Sequence, residues 1–397
     1  MDIQTHRVTI AGYDNLDNGV HQSVIFNDSL ELVFYKEQTE IYRASLAPDR
    51  ASFYRTHEAT LAKIKLVCRR LNIDESLLSY DRQSLPTPKK LFYKALILAK
   101  MIYTMLIPVQ WLIVFKHKND STWKKIIPDS SLFQADPFIV FKDDKYYVFY
   151  EELKFEDYHG YLKAAELDID NGKLINDTVI LHLDYHLSFP NVFEENGTFY
   201  MIPESADCHR VDLFECTDFP YVWEKKQTLI ENIQAVDTTP LKTENGWYLF
   251  TTEIVDGASC DDELSIYQSS DLFKQPFTKL YENPVISDVT NARMAGHFIQ
   301  HNNELIRVSQ NCGKRYGYQA NLNRVLQIEG EYKEERIDTI TPSQGALGFH
   351  TYNQAGDIIV GDMEVARFDW YSLKRFVGGN LRRLFEIILR KDNASKD

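Results

Sequence analysis

Apolar and polar positions along this chain fall into one arrangement that recurs five times. Each copy has an apolar stretch, a short polar turn, and a second apolar or aromatic stretch that stops at a polar residue. The copies read FIVFKDDKYYVFYEE from Phe138, NVFEENGTFYMIPES from Asn191, TPLKTENGWYLFTTE from Thr239, GHFIQHNNELIRVSQ from Gly296 and HTYNQAGDIIVGDME from His350. Their starts lie 53, 48, 57 and 54 residues apart, a spacing in the range of propeller blades. Asp-Asp, Asn-Gly and Asn-Asn suit the turns because these residues tolerate the positive φ that a tight hairpin needs. One such hairpin cannot bury its own faces, so the five must pack on one another around an axis. The pattern predicts a mainly β chain, with a five-bladed β-propeller over residues 108–368.

The flanks read differently. Residues 1–90 predict a small α+β region, in which Leu61, Ile64, Cys68 and Leu71 give a helical spacing between Ser52 and Ile73. Residues 7–50 show short strand-like runs without clean periodicity, and Tyr80–Lys90, with Pro86 and Pro88, reads as a linker. The stretch Leu91–Phe115 is strongly apolar, but Lys94, Lys100 and Pro108 interrupt it. No charge-free run therefore reaches the roughly 18 to 20 residues that cross a bilayer. Splitting it at Pro108 predicts a helix or linker over 91–107 and a strand over Gln110–Phe115. Packing against the fold and partial membrane insertion both suit that helix. Residues 369–397 predict a basic amphipathic helix: Leu373, Phe376, Leu381, Leu384 and Ile388 share one face with Lys374, Arg375, Arg382, Arg383, Arg390 and Lys391 outside it. Such a helix either caps a blade or attaches to an anionic membrane surface through 370–391.

The turns align the repeats and so locate candidate chemistry. Seven residues past each turn pair stand Glu151, Glu204, Glu253 and Gln310; the fifth copy has Met363 there, with Asp362 one position earlier. Near the start of each first strand stand Asp136, Ser188, Asp237, Arg293 and His350. In an antiparallel hairpin these two sets share one edge of the sheet, which predicts a polar funnel at one mouth of the propeller. Closely spaced carboxylates push one another's pKa values apart, and a pair of them is the minimum for work on a glycosidic bond. Tyr150, Tyr158, Phe189, Tyr316 and Tyr352 are candidates for stacking on sugar rings.

Charge and cysteine usage narrow the field. A net charge of −14 argues against nucleic acid as a partner, which needs a basic face. Five cysteines without CxxC or zinc spacing, and a start, MDIQTHRVTI, without signal-peptide design, predict a cytoplasmic chain peripheral to the inner face of the membrane. The His-x-x-x-His pairs at His182/His186 and His297/His301 read as strand segments, in which four residues span roughly 13 Å, too far to share an ion. No metal is predicted, and calcium held by the funnel carboxylates is the weaker idea.

The segments ADPFIV, YHLSFPNVF, YMIPES, FPYVWE, VDTTP, NPVISD, ARMAG, LIRVSQNCGKRYG and GFHTYN occur in this order across residues 110–363. The series resembles the N-terminal domain of the plant glucosamine inositolphosphorylceramide transferases and its bacterial relatives. That domain in turn looks like the five-bladed propellers of arabinanases and β-xylosidases. The resemblance implies that Asp136, in its DP motif, is the general base, and it makes Glu204 and Glu253 candidates for the general acid. The hydrolases' second-blade Asp is replaced here by Ser188 before Phe189-Pro190, which favours transfer over simple hydrolysis. Some relatives carry a formyltransferase-like domain before the propeller, of which residues 1–90 would be a shortened remnant. The expected function is thus a glycosyltransferase of cell-surface polysaccharide or glycolipid synthesis. Asp136, Glu204 and Glu253 would be catalytic, with Glu151, Ser188, Asp237, Arg293, Gln310, Tyr316 and His350 binding substrate. Arg293 and His350 would meet a phosphate of a nucleotide-sugar donor or a substrate carboxylate. A glycoside hydrolase and a non-catalytic glycan-binding propeller are the alternatives.

Overall fold

The computed structural model describes residues 6–13, 15–80, 85–105, 107–274, 276–282, 284–343, 345–371 and 374. Strands dominate. The N-terminal part holds β1 (His6–Ile10), α1 (Leu16–Phe26), β2 (Leu30–Lys36), β3 (Thr39–Leu46), α2 (Phe53–Leu71) and β4 (Leu78–Ser79). Its sheet runs β3-β2-β1-β4, with β4 parallel to β1. Val20, Leu32, Phe34, Ile64 and Val67 form a core of their own between this sheet and the two helices. α2 lies where its spacing predicts it. α1 was not legible, because Gly19 and five polar residues break up its apolar pattern. It forms through its caps: the Asn15 side chain accepts the Asn18 N–H at 2.8 Å, and Asn27 closes it at φ 54°.

α3 (Thr87–Met105) begins earlier than expected, inside the segment read as a linker. Pro88 is no obstacle there, since the first turn of a helix has no use for its missing N–H. Tyr93 and Ile97 pack toward α1, where the Tyr93 hydroxyl accepts from Gln22 at 2.5 Å. Pro108 separates α3 from the strand that follows, as the split predicts. No helix among the described residues is long and apolar enough to cross a membrane.

The rest of the chain forms five four-stranded antiparallel sheets. The chain enters through β5 (Val109–His117) and β6 (Lys124–Lys125). The next sheet comprises β7 (Leu132–Lys142), β8 (Lys145–Lys154), β9 (Gly160–Asp168) and β10 (Lys173–Leu181). After it come β11 (Ser188–Glu195), β12 (Thr198–Glu204), β13 (Arg210–Asp218) and β14 (Val222–Glu231). The third holds β15 (Ala235–Thr243), β16 (Gly246–Glu253), β17 (Leu264–Ser269) and β18 (Thr278–Lys279). The fourth holds β19 (Ile299–His301), β20 (Glu304–Asn311), β21 (Gln319–Gln327) and β22 (Lys333–Ile340). The last pair, β23 (Tyr352–Ala355) and β24 (Ile358–Ala366), completes a sheet with the first: β24 pairs with β5 from Ile358↔His117 to Ala366↔Val109. Start and end of this region are thereby joined.

Three of the repeat turns take the conformation their residues suggest, while in the third copy Thr243 pairs with Gly246 and the turn falls on Glu244-Asn245. Asp143-Asp144 have φ of 51° and 58°, Asn196-Gly197 53° and 81°, and Asn302-Asn303 48° and 63°, the doubly positive signature of a two-residue hairpin turn. Apolar side chains from adjacent sheets fill the space between them, as with Phe138, Phe189, Phe250 and Met294 in one cluster. The amphipathic helix expected over 369–397 lies almost entirely outside the described residues.

Candidate active site

Three neighbouring sheets share one irregularity. Between Ala135 and Phe138, Ser188 and Asn191, and Val236 and Thr239, the first strand carries three steps opposite two on its partner. Each is a β-bulge, which re-aims a side chain and sharpens the local twist. At the bulges Asp136, Phe189 and Asp237 adopt φ of 52°, 46° and 52°. Side chains rarely accept this left-handed region, and surrounding bonds must hold them there. For Asp136 the Asp362 carboxylate does so, accepting its N–H at 2.8 Å.

His350 sits between two carboxylates. Its Nδ1 is 2.7 Å from Asp362 Oδ1 and its Nε2 3.2 Å from Asp136 Oδ1. Burial alone would lower its pKa, but the charges of Asp362 and Asp136 outweigh this and lift it to about 10. The ring is therefore a cation with both N–H groups committed. Trp111 lies over it at 4.2 Å between centroids, and Tyr316 approaches edge-on at 5.2 Å. Asp136 also accepts the Thr351 hydroxyl at 2.9 Å and the Phe189 N–H at 3.2 Å. All three partners of its carboxyl oxygens are donors, the arrangement a carboxylate needs, and a lone pair of Oδ2 is left over.

Arg293 organises the other half. It donates from Nε to Asp237 at 2.6 Å, from Nη1 to Asp261 at 3.0 Å, and from Nη2 to Glu204 at 3.4 Å. Burial opposes its charge, but Asp237 and the neighbouring acids keep it a cation. Gln310 donates to Asp237 at 2.9 Å, and Tyr316 lies 5.0 Å below the guanidinium. Burial, then the charge of Asp237, raises the Glu204 carboxyl well above the usual carboxylate range, although Arg293 pulls the other way. Burial and Asp237 thus favour the protonated form of the Glu204 carboxyl. Glu151 lies 3.2 Å from His186; burial raises its pKa and His186 opposes the rise.

The structure assembles most of the expected ring and alters some roles. Asp136, Glu204, Asp237, Arg293, Gln310, Tyr316 and His350 are linked by the contacts above. Ser188 is buried opposite Glu204 in the register. The repeat alignment matches Glu253 with Glu151 and Glu204, but the pairing Thr243↔Gly246 puts that hairpin's turn at Glu244-Asn245, and Thr252, opposite Val236, is the equivalent residue. One residue further along, Glu253 faces the other side of the sheet, where it meets Lys279 at 2.6 Å and Tyr267 at 3.1 Å and does not join the cluster. Arg293 and His350, expected to meet a phosphate or a substrate carboxylate, here face the carboxylates of the protein itself. Of the aromatic candidates, Tyr150 is buried and bonds Asp177 at 2.7 Å, while Phe189 is core. Tyr316 is 42% exposed and remains able to meet a ring.

Sequence reasoning missed Asp261, Asp362, His186, Thr351 and Trp111. Asp362 carried a signal, as the acid one position short of the repeat in the fifth copy. Asp261 lies in a connection outside any repeat and carried none. Of the four histidines expected on strands, His301 ends β19, while His182, His186 and His297 lie in connections: His186 pairs with Glu151, and His182 lies tilted against His159 at 5.3 Å. One group of three potential metal ligands occurs among the described residues, Asp136, His350 and Asp362, with ligand atoms within 4.8 Å. Here both ring nitrogens of the imidazole already face the two carboxylates, and a cation would have to displace a ring proton to reach one.

Known proteins resemble this chain in sequence and in shape. The family model for the N-terminal part of glucosamine inositolphosphorylceramide transferase 1 matches residues 121–356. The protein of that name from Arabidopsis thaliana is 32% identical over 218 residues, 53% of this chain and 28% of the relative. Its counterpart from Oryza sativa subsp. japonica is 28% identical over 213 residues, 52% and 28% of the respective lengths. The alignments thus span little more than a quarter of these relatives. Among solved structures, a family 117 glycoside hydrolase produced by Zobellia galactanivorans matches 65% of this chain and 91% of its own, with a TM-score of 0.44 and 10% identity. The catalytic domain of a Coprinopsis cinerea family 62 α-L-arabinofuranosidase matches 58% and 82%, with a TM-score of 0.44 and 14% identity. With its match extending over more than half of its length, the chain belongs to the family of the N-terminal region of glucosamine inositolphosphorylceramide transferase 1.

Proposed function

We propose that the chain is a carbohydrate-active enzyme that transfers a sugar or a related group during glycolipid or cell-surface polysaccharide synthesis. Its five sheets are read as the blades of a propeller, with the reacting groups at one mouth. The observation that carries the reading is the contrast between two acids. Glu204 has its pKa raised by burial and Asp237, while Asp136 receives hydrogen bonds from Thr351, Phe189 and His350. Glu204 would give its proton to the leaving oxygen, and Asp136 would take one from the attacking hydroxyl. The family supports transfer, since the relatives are named as transferases.

The charges in the site bear on the substrate. Asp136, Asp237, Asp261 and Asp362 face the cations Arg293 and His350. This excess of negative charge suits an uncharged or amino-bearing sugar and repels a pyrophosphate. A nucleotide-sugar donor would keep its phosphates outside the carboxylate cluster.

Hydrolysis is the second reading, because the same acid and base would serve water as the acceptor. A thermal-shift screen against nucleotide sugars, free nucleotides and oligosaccharides identifies what the folded state binds. Turnover is then measured on the compound found. Transfer predicts a new glycoside, hydrolysis predicts free sugar, and plain binding predicts neither. Full turnover in both Asp136→Asn and Glu204→Gln would remove the catalytic assignment.

A further inference from the structure

α3 turns a narrow side to the protein and a wide one away from it. Tyr93 and Ile97 are buried, whereas Leu91, Phe92, Leu96, Leu98, Ile102 and Tyr103 are between 39% and 66% exposed. At 3.6 residues per turn these six, with Ala95 and Ala99, share one arc of about 160° that contains no charged residue. Lys89 and Lys94, both exposed, stand at the two edges of the arc. The helix holds four lysines and no acidic residue, in a chain of net charge −14.

The chain leaving α3 meets a second apolar group. Arg367 donates its backbone N–H to Pro108 O at 2.9 Å and its Nη1 to Pro128 O at 2.7 Å. These bonds bring Ile127, Phe368 and Trp370, which are 68%, 66% and 82% exposed, to the exit of the helix. The sequence that follows has six Lys or Arg between Lys374 and Lys391 and one acid, Glu386. Exposed apolar side chains from three segments of the chain thus gather at one place on an acidic protein.

We propose that α3 lies in the interface of an anionic lipid bilayer, its apolar arc among the acyl chains and Lys89 and Lys94 at the headgroups, while Lys90 and Lys100 hold the helix to Asp17 and the end of α1. An apolar face rimmed by lysines, with Tyr and Trp nearby, is the form of a helix that rests on a membrane without crossing it. The long lysine stems reach the headgroups while their upper carbons stay in contact with lipid, and anionic lipid complements their charge. A second copy of this chain would match the apolar area and leave the lysines facing lysines. The inference does not depend on the catalytic reading.

Flotation of the full chain with phosphatidylcholine vesicles, with and without phosphatidylglycerol, tests it. The chain is expected to float with the anionic vesicles and to be released in part by salt. Leu98→Glu with Ile102→Glu is expected to lower the partition coefficient at least about tenfold. Lys89→Glu with Lys94→Glu is expected to weaken binding to anionic vesicles alone. Circular dichroism melting checks that both variants stay folded, which exposed positions permit. No flotation of the wild type overturns the proposal. So does wild-type flotation by the Leu98/Ile102 variant, which would place attachment elsewhere, or a dimer in sedimentation that this variant abolishes without any vesicle binding.

Discussion

Lys63 of α2 and Glu263, just before β17, form an ion pair with side-chain exposures of 0% and 1%. Lys63 also lies 3.2 Å from Asp262, and Arg70 lies 2.8 Å from Glu263. The Ser287 hydroxyl donates to Glu263 at 2.8 Å. Two residues before Glu263, Asp261 is a partner of Arg293. A helix of the N-terminal part is therefore bonded to the connection that supplies one acid of the candidate site.

Replacing Lys63 by Met leaves Asp262 and Glu263 buried with Arg70 alone. Removing one partner of a buried ion pair costs roughly 3–5 kcal/mol. Urea denaturation is expected to show that loss. A change under 1 kcal/mol would mean that the pair carries little of the junction's stability.

His350 makes stability depend on pH. Its pKa rises from about 6.5 in the unfolded chain to about 10 in the fold. The stabilisation is complete below the unfolded value and fades as pH climbs through the folded one. The melting temperature is expected to fall between pH 7 and pH 10, and His350→Gln to flatten that slope. An equal slope in the variant would place the titration elsewhere.

Glu204 is expected to work in its protonated form. Because its pKa is raised, turnover should decline on the alkaline side as it ionises. Glu204→Gln keeps the uncharged shape and cannot give a proton. Its stability should match or exceed that of the wild type, while turnover falls by roughly 10²–10⁴. A stable variant with unchanged rate and pH profile would remove Glu204 from the chemistry.

Arg293→Met is expected to destabilise by roughly 3–5 kcal/mol, because Asp237 and Asp261 lose their shared cation. Adding Asp237→Asn should restore part of the loss, since one buried charge goes with it. Purely additive penalties in the double variant would show that the two residues do not act together.

Sequence alone determined the hairpins. Asp143-Asp144, Asn196-Gly197 and Asn302-Asn303 prescribe their turns through local backbone preference, and the apolar runs beside them prescribe the strands. These are near-neighbour effects, so they survive without knowledge of the fold. They also place strand ends, which is why Asp136, Glu204 and Asp237 could be named together as one edge. The caps of α1 are equally local, but its apolar stripe is too broken to announce a helix.

Which way each strand-end side chain turns was a matter for the tertiary structure. Side chains alternate along a strand, so the one-residue slips at Asp136, Phe189 and Asp237 reset which of them face the site. Glu204 pairs with the residue just before its bulge, as Thr252 does in the next sheet, so Glu253 lies one residue further along and faces the other way, to Lys279. Asp261 and Asp362 reach their partners from elements remote in the sequence. Register offsets and contacts of this kind depend on how the completed fold pairs its strands and which charges it brings within a few ångströms, and no local pattern records that.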